Sequence, residues 1–175
     1  MQEQLKVLLS NLNLTSLKAE LYRKSFYEFS LEAFKTLHNG QELTYNWHIE
    51  YLCDKLQKEA ERIVRGEKRN KHILINIPPR TLKSELVNVF FSVYCWILDD
   101  SMQFISSSYS SSLSITLSTQ SRRIIESDWF IKHFPNVILS KDENTKSRYT
   151  TTCLLYTSDA ADEGLGVDLG GRRII

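Results

Sequence analysis

The chain has 175 residues, of which 22 are basic and 21 acidic for a formal net charge of +1, and it is 42% apolar and 11% aromatic. Near-neutral charge neither requires nor excludes a nucleic-acid partner, since such contact depends on a clustered patch rather than on a total. Three cysteines without Cys-x-x-Cys spacing argue against a disulfide framework or zinc site; with no signal peptide at Met1 to Leu14 and no run of about 18 apolar residues, the expectation is a soluble, intracellular protein.

Leu5, Leu8, Leu9 and Leu12 recur at helical spacing, and after a break at Asn13 to Ser16 a second run continues through Leu17, Leu21 and Tyr22. Phe26 to Leu37 reads as an amphipathic helix stopped by His38-Asn39-Gly40, with a residue suited to the left-handed conformation. A long helix follows, capped by Asn46, lined on one face by Ile49, Leu52, Cys53, Leu56, Ala60, Ile63 and Val64, and closed by Gly66. Lys71 to Ile77 is almost continuously apolar, as expected of a central strand covered on both faces. The helix from Lys83 to about Leu98 is apolar nearly all round and predicted to be buried. Met102 to Ser107 reads as a second strand, Ser111 to about Glu126 as a second helix, and Arg148 to Thr152 as the start of a further strand.

Strand, helix, strand, helix predicts an α/β fold: part of a P-loop NTPase parallel sheet flanked by helices and preceded by amino-terminal helices. The expected division is 1–70 as a helical lead-in, 71–152 as an incomplete P-loop ATPase core, and 153–175 as a separate tail.

Between the predicted strand and the buried helix lies Pro78-Pro79-Arg80-Thr81-Leu82-Lys83-Ser84-Glu85. A helix start carries unpaired N–H groups and partial positive charge, so it stabilises an anion. Lys83 is placed to reach the β and γ phosphates of a nucleotide, and the Ser84 hydroxyl to hold Mg²⁺. Pro78 and Pro79 stiffen the approach to the loop and remove two backbone donors. The general pattern G-x-x-x-x-G-K-[ST] fails strictly, because Ile77 and Leu82 stand where it has glycine. A simple strand-to-helix turn is the alternative.

The Pro78-Pro79-Arg80 to Lys83-Ser84-Glu85 stretch resembles the phosphate loop of the large terminase subunit of tailed bacteriophages, the DNA-packaging motor. Ser25 to Phe29, Asn46 to Glu50, Ser106 to Tyr109 and Arg122 to Ile125 are similar to flanking segments of that family, so the resemblance runs from Ser25 to Pro135. It implies ATP and Mg²⁺ as cofactors, with Pro79, Arg80, Thr81, Leu82, Lys83 and Ser84 around the phosphates. Arg80 is the family's early basic residue, implied to stabilise the γ-phosphate, and is grouped with Lys83 as catalytic. Trp47 and His48 fall where the family has an adenine-side element, with ring stacking on the base as the implied role; a core Trp and a capping-region His are the alternative. The implied partners are double-stranded DNA, a portal protein and a small terminase subunit, around a homo-oligomeric ring in the host cytoplasm at the procapsid. Another P-loop nucleic-acid motor of helicase type, or a non-catalytic interaction module, is the competing reading.

Other features carry less. Ile97-Leu98-Asp99-Asp100 resembles an acidic ATPase motif but ends the same helix that follows the loop, whereas those acids must come from a separate strand. The serines from Ser106 to Ser112 could contact phosphate or simply cap a helix. Arg62, Arg65, Lys68, Arg69 and Lys71 read first as a solvated helix end; Arg122 and Arg123 as facing either a neighbour or DNA; His38, His72 and His133 as structural. From Cys153 the composition shifts: four of the six glycines lie in the last 23 residues, and Cys153-Leu154-Leu155-Tyr156-Thr157-Ser158 resembles a translated sequencing-library adapter. That tail is expected to be non-native and disordered, the natural frame to continue past Thr152 with an acidic ATPase motif and a nuclease, and this chain to be inactive in hydrolysis.

Overall fold

The structure is a computed structural model that describes residues 14–68, 72–108, 110–144, 148–151 and 155–160. Helix α1 (14–24) leads into α2 (Phe26–Leu37) and α3 (Trp47–Val64). A helical run then passes from α4 (Lys83–Glu85) through a π-helical turn (Leu86–Phe90) to α5 (Phe91–Leu98). Strand β1 (Phe104–Ser108), α6 (Ser111–Ile125) and α7 (Asp128–His133) follow, then short strands β2 (Leu139–Asn144), β3 (Arg148–Thr151) and β4 (Leu155–Ala160). The predicted leucine helix at Leu5 to Leu12 lies outside the described residues.

Local chemistry sets the helix ends. Ser25 caps α2 by accepting from the Glu28 amide at 3.2 Å, with Glu28 in the first turn. At the other end Asn39 (φ 52°) and Gly40 (φ 83°) turn left-handed, and the Gly40 amide donates back to Lys35 O at 2.8 Å. Gly66 (φ 71°) closes α3 the same way, its amide donating to Ile63 O and that of Glu67 to Arg62 O. The chain break between α1 and α2 is sealed from α3: Gln57 Oε1 accepts from the Phe26 amide at 2.9 Å while its Nε2 donates to Lys24 O at 2.7 Å.

The core is aromatic and centred on α5, which is buried from Phe91 to Ile97. Phe26 sits 4.8 Å from Tyr94 and 5.9 Å from Phe91 between ring centroids, and Phe29 lies 5.8 Å from both Tyr94 and Trp129. The polar tips find partners, as buried Tyr and Trp require: Tyr94 Oη donates to Arg23 O at 2.8 Å and Trp96 Nε1 to Met102 O at 2.9 Å. Cys53 and Cys95 are buried free thiols; burial pushes that of Cys53 up to about 12, which makes it inert rather than nucleophilic.

The expected fold class is overturned. The molecule is predominantly helical, and residues 72–77, the intended first strand of a parallel sheet, run extended without pairing to any described strand. Leu74 is 94% exposed, where a central strand would bury it. A strand exists only through its neighbours' hydrogen bonds, and β1 takes its single parallel partner from β4; β4–β3 and β3–β2 are antiparallel, in the order β1-β4-β3-β2. Among the described residues, no parallel sheet flanked by helices therefore feeds the loop at 78–84. Leu155–Ala160, within the segment expected to be a disordered tail, is strand β4, and the rest of that segment lies outside the described residues.

Candidate functional site

The loop that joins 72–77 to the helical run is shaped by two left-handed non-glycine residues, Arg80 (φ 63°) and Leu82 (φ 64°). Leu82 occupies the second glycine position of the phosphate-loop pattern and takes a conformation that glycine adopts without cost. Held by a leucine, it costs about 1–3 kcal/mol, and such strain clusters at ligand clamps. The Leu82 side chain packs half-buried against the core. Leu82, left-handed immediately before the right-handed turn that starts at Lys83, makes one left-to-right step of the kind from which anion-receiving backbone nests are built.

Side chains brace the loop. Thr81 Oγ1 donates to Pro78 O at 2.7 Å, and the Lys83 ammonium reaches back across the loop to Ile77 O at 3.5 Å. The Leu82 carbonyl accepts from the Leu86 amide at 2.9 Å, which anchors the first helical turn. Pro79, Arg80 and Ser84 are exposed, while Thr81 and Lys83 are half-buried. Arg80 and Ser84 thus stand open to solvent, while the Thr81 hydroxyl and Lys83 ammonium are turned back onto the loop's own carbonyls.

Trp47 and His48 come to the same place from α3. His48 Nε2 lies 3.4 Å from Thr81 O, so the two predicted site segments meet directly. Trp47, 71% exposed, stands edge-on to His48 at 6.3 Å between centroids. Both line an open cavity of about 730 Å³ between α3 and the extended segment 72–77, with Tyr51, Lys55 and Leu74 also on its wall. Its size falls in the range of small-molecule sites, roughly 300–1,000 Å³. Tyr51 and Lys55 were not singled out in the sequence, although Trp47, Tyr51 and Lys55 follow one another every four residues and therefore share a helical face. Lys55 Nζ lies 5.2 Å from the centre of the Tyr51 ring, in cation–π range.

The remaining sequence candidates resolve into structural roles. Asp99 Oδ1 accepts from the amide and hydroxyl of Ser101 at 2.9 and 2.6 Å and shapes the turn after α5, away from the loop. The Ser110 and Ser112 hydroxyls bond each other at 2.7 Å. Arg62 is paired with Glu59, and Arg65 with Glu61 and Glu67, so this part of the basic stretch is a neutralised helix end; Arg69 and Lys71 lie outside the described residues. Arg122 and Arg123 occupy the last turn of α6. No family model matches the chain, and neither a curated protein nor a solved structure matches it. No helix among the described residues is long and apolar enough to cross a membrane.

Proposed function

We propose that this chain binds ATP with Mg²⁺, the triphosphate on residues 79–84 and the base beside Trp47 and His48. The observation that carries the reading is the pair of left-handed residues, Arg80 and Leu82, immediately before Lys83-Ser84. Positive φ at two non-glycine residues, with a lysine and a hydroxyl at the next two positions, supports a phosphate ligand there. Mg²⁺ keeps several waters and uses few protein oxygens beside those of the nucleotide, so the exposed Ser84 hydroxyl is a sufficient protein contribution. Arg80, exposed at the loop, is available to offset charge on the γ-phosphate.

The motor assignment rests on the sequence resemblance between Ser25 and Pro135, and not on a parallel sheet flanked by helices, which the described residues do not form. On that reading the parent protein drives double-stranded DNA into a procapsid as a ring at the portal, with a small terminase subunit as partner, in the host cytoplasm. The described carboxylates around the site are all engaged: Glu85 with His38, and Glu59 and Glu67 with Arg62 and Arg65. Nucleotide binding with little turnover is the expected behaviour of this chain.

Equilibrium binding of Mg-ATP to the full 175-residue chain tests the reading. Lys83→Ala is expected to weaken binding by at least tenfold, since a hydrogen bond to a charged group contributes about 1.5–3 kcal/mol. Equal affinity for the variant and the parent overturns the reading. A non-catalytic interaction module is the second reading, favoured by the exposed apolar pair Trp47 and Leu74; it would be supported by absence of nucleotide binding in both proteins.

A further inference from the structure

Glu85 directly follows the proposed phosphate ligands, and both of its carboxylate oxygens are held from other elements. His38 Nε2, at the end of α2, donates to Oε2 at 2.9 Å. Gln120 Nε2, in α6, reaches Oε1 at 3.4 Å. The His38 ring is itself fixed in orientation: Phe34, one turn earlier in α2, stacks on it at 4.1 Å and 27°. The left-handed stop at Asn39 and Gly40 fixes its backbone. On the far side the Gln120 amide group lies against Glu85, half-buried like the carboxylate it meets.

We infer that Glu85 is a positioning residue, clamped by His38 and Gln120, that fixes the first turn of the helical run and thereby aims Lys83 and Ser84 at the phosphates. Through this carboxylate α2 and α6 both reach the loop. A displacement of either helix then changes the loop, which gives the site a route for regulation. Glu85 itself touches no nucleotide. The inference rests on the reading of 79–84 as a phosphate loop, but the clamp is measurable without any nucleotide.

The test combines amide hydrogen exchange across 79–86 with binding of Mg-ATP and of inorganic tripolyphosphate, on the full chain and its Glu85→Ala, Glu85→Gln, His38→Gln and His38→Gln/Glu85→Gln variants. Glu85→Ala is expected to speed exchange at 81–84 about tenfold, with α5 amides unchanged, and to weaken both ligands by about the same factor. Glu85→Gln, which keeps an acceptor oxygen, should recover part of that loss, and the double variant should lose less than its two single variants together. Unchanged loop exchange in Glu85→Ala, or a rise shared equally by the α5 amides, overturns the clamp. Should Glu85→Ala not fold, Glu85→Gln and His38→Gln supply the same comparison. If loop exchange responds but the parent chain binds neither ligand, the phosphate reading falls and the clamp stands. If the parent binds and Glu85→Ala binds equally well, the clamp falls and the phosphate reading stands.

Discussion

Leu82 concentrates the physical tension of this molecule in one residue. Its backbone sits at φ 64°, ψ 4°, and its side chain rests half-buried on the core. Glycine there would relieve the strain but give up those apolar contacts and add flexibility to the unfolded chain, a penalty of about 0.5–1 kcal/mol for the glycine alone. Leu82→Gly is therefore expected to leave stability to urea within about 1 kcal/mol of the parent. Leu82→Val should cost about 1 kcal/mol more than Leu82→Gly, because a β-branched residue is a true outlier in the left-handed region. Equal stability of the two variants would show that the loop does not hold this conformation. The substitution of Leu for Gly was visible in the sequence; the left-handed angle was not, since it depends on how the helical run is anchored behind it.

Among the elements, the junction between α1 and α2 depends on a residue from neither. Gln57 of α3 satisfies the Phe26 amide and the Lys24 carbonyl together. Gln57→Ala removes both partners at once, and with the Phe26 amide partly buried the expected loss in thermal or urea unfolding is about 1–3 kcal/mol; a loss within error would mean that solvent replaces both bonds. The helices α2, α3 and α6 were legible beforehand because their information is local: a cap position at Asn46, a 3.6-residue apolar period, and left-handed stops at Asn39–Gly40 and Gly66. Asn46 keeps its capping position although its side chain makes no cap hydrogen bond. Segment 72–77 was misread because an apolar run states only that a strand is affordable, while pairing is decided by residues far away in the chain. The contacts of Glu85 with His38 and Gln120 span 47 and 35 residues, and no local pattern announces them.

At the scale of the whole molecule, the described body is helical on one side and leaves an uncharged extended run, Ile73 to Ile77, along its surface. Edges of this kind are sites of association unless a charge or proline interrupts them. Leu74, at 94% exposure, contributes little to the core, so Leu74→Lys should leave thermal stability unchanged and lower concentration-dependent association measured by light scattering or sedimentation. Persistent association in that variant would place the sticky surface elsewhere. The π-helical turn at Leu86–Phe90 has a different reach. There the Phe91 amide donates to Leu86 O, one residue wider than an α-helical bond. Each residue of an α-helix advances the facing direction by about 100°, so this wide turn works as a phase offset between the buried helix and its exposed start. Shortening it by a single residue would keep the aromatic interior in register while swinging the lysine and serine about a quarter of a revolution from where they now point.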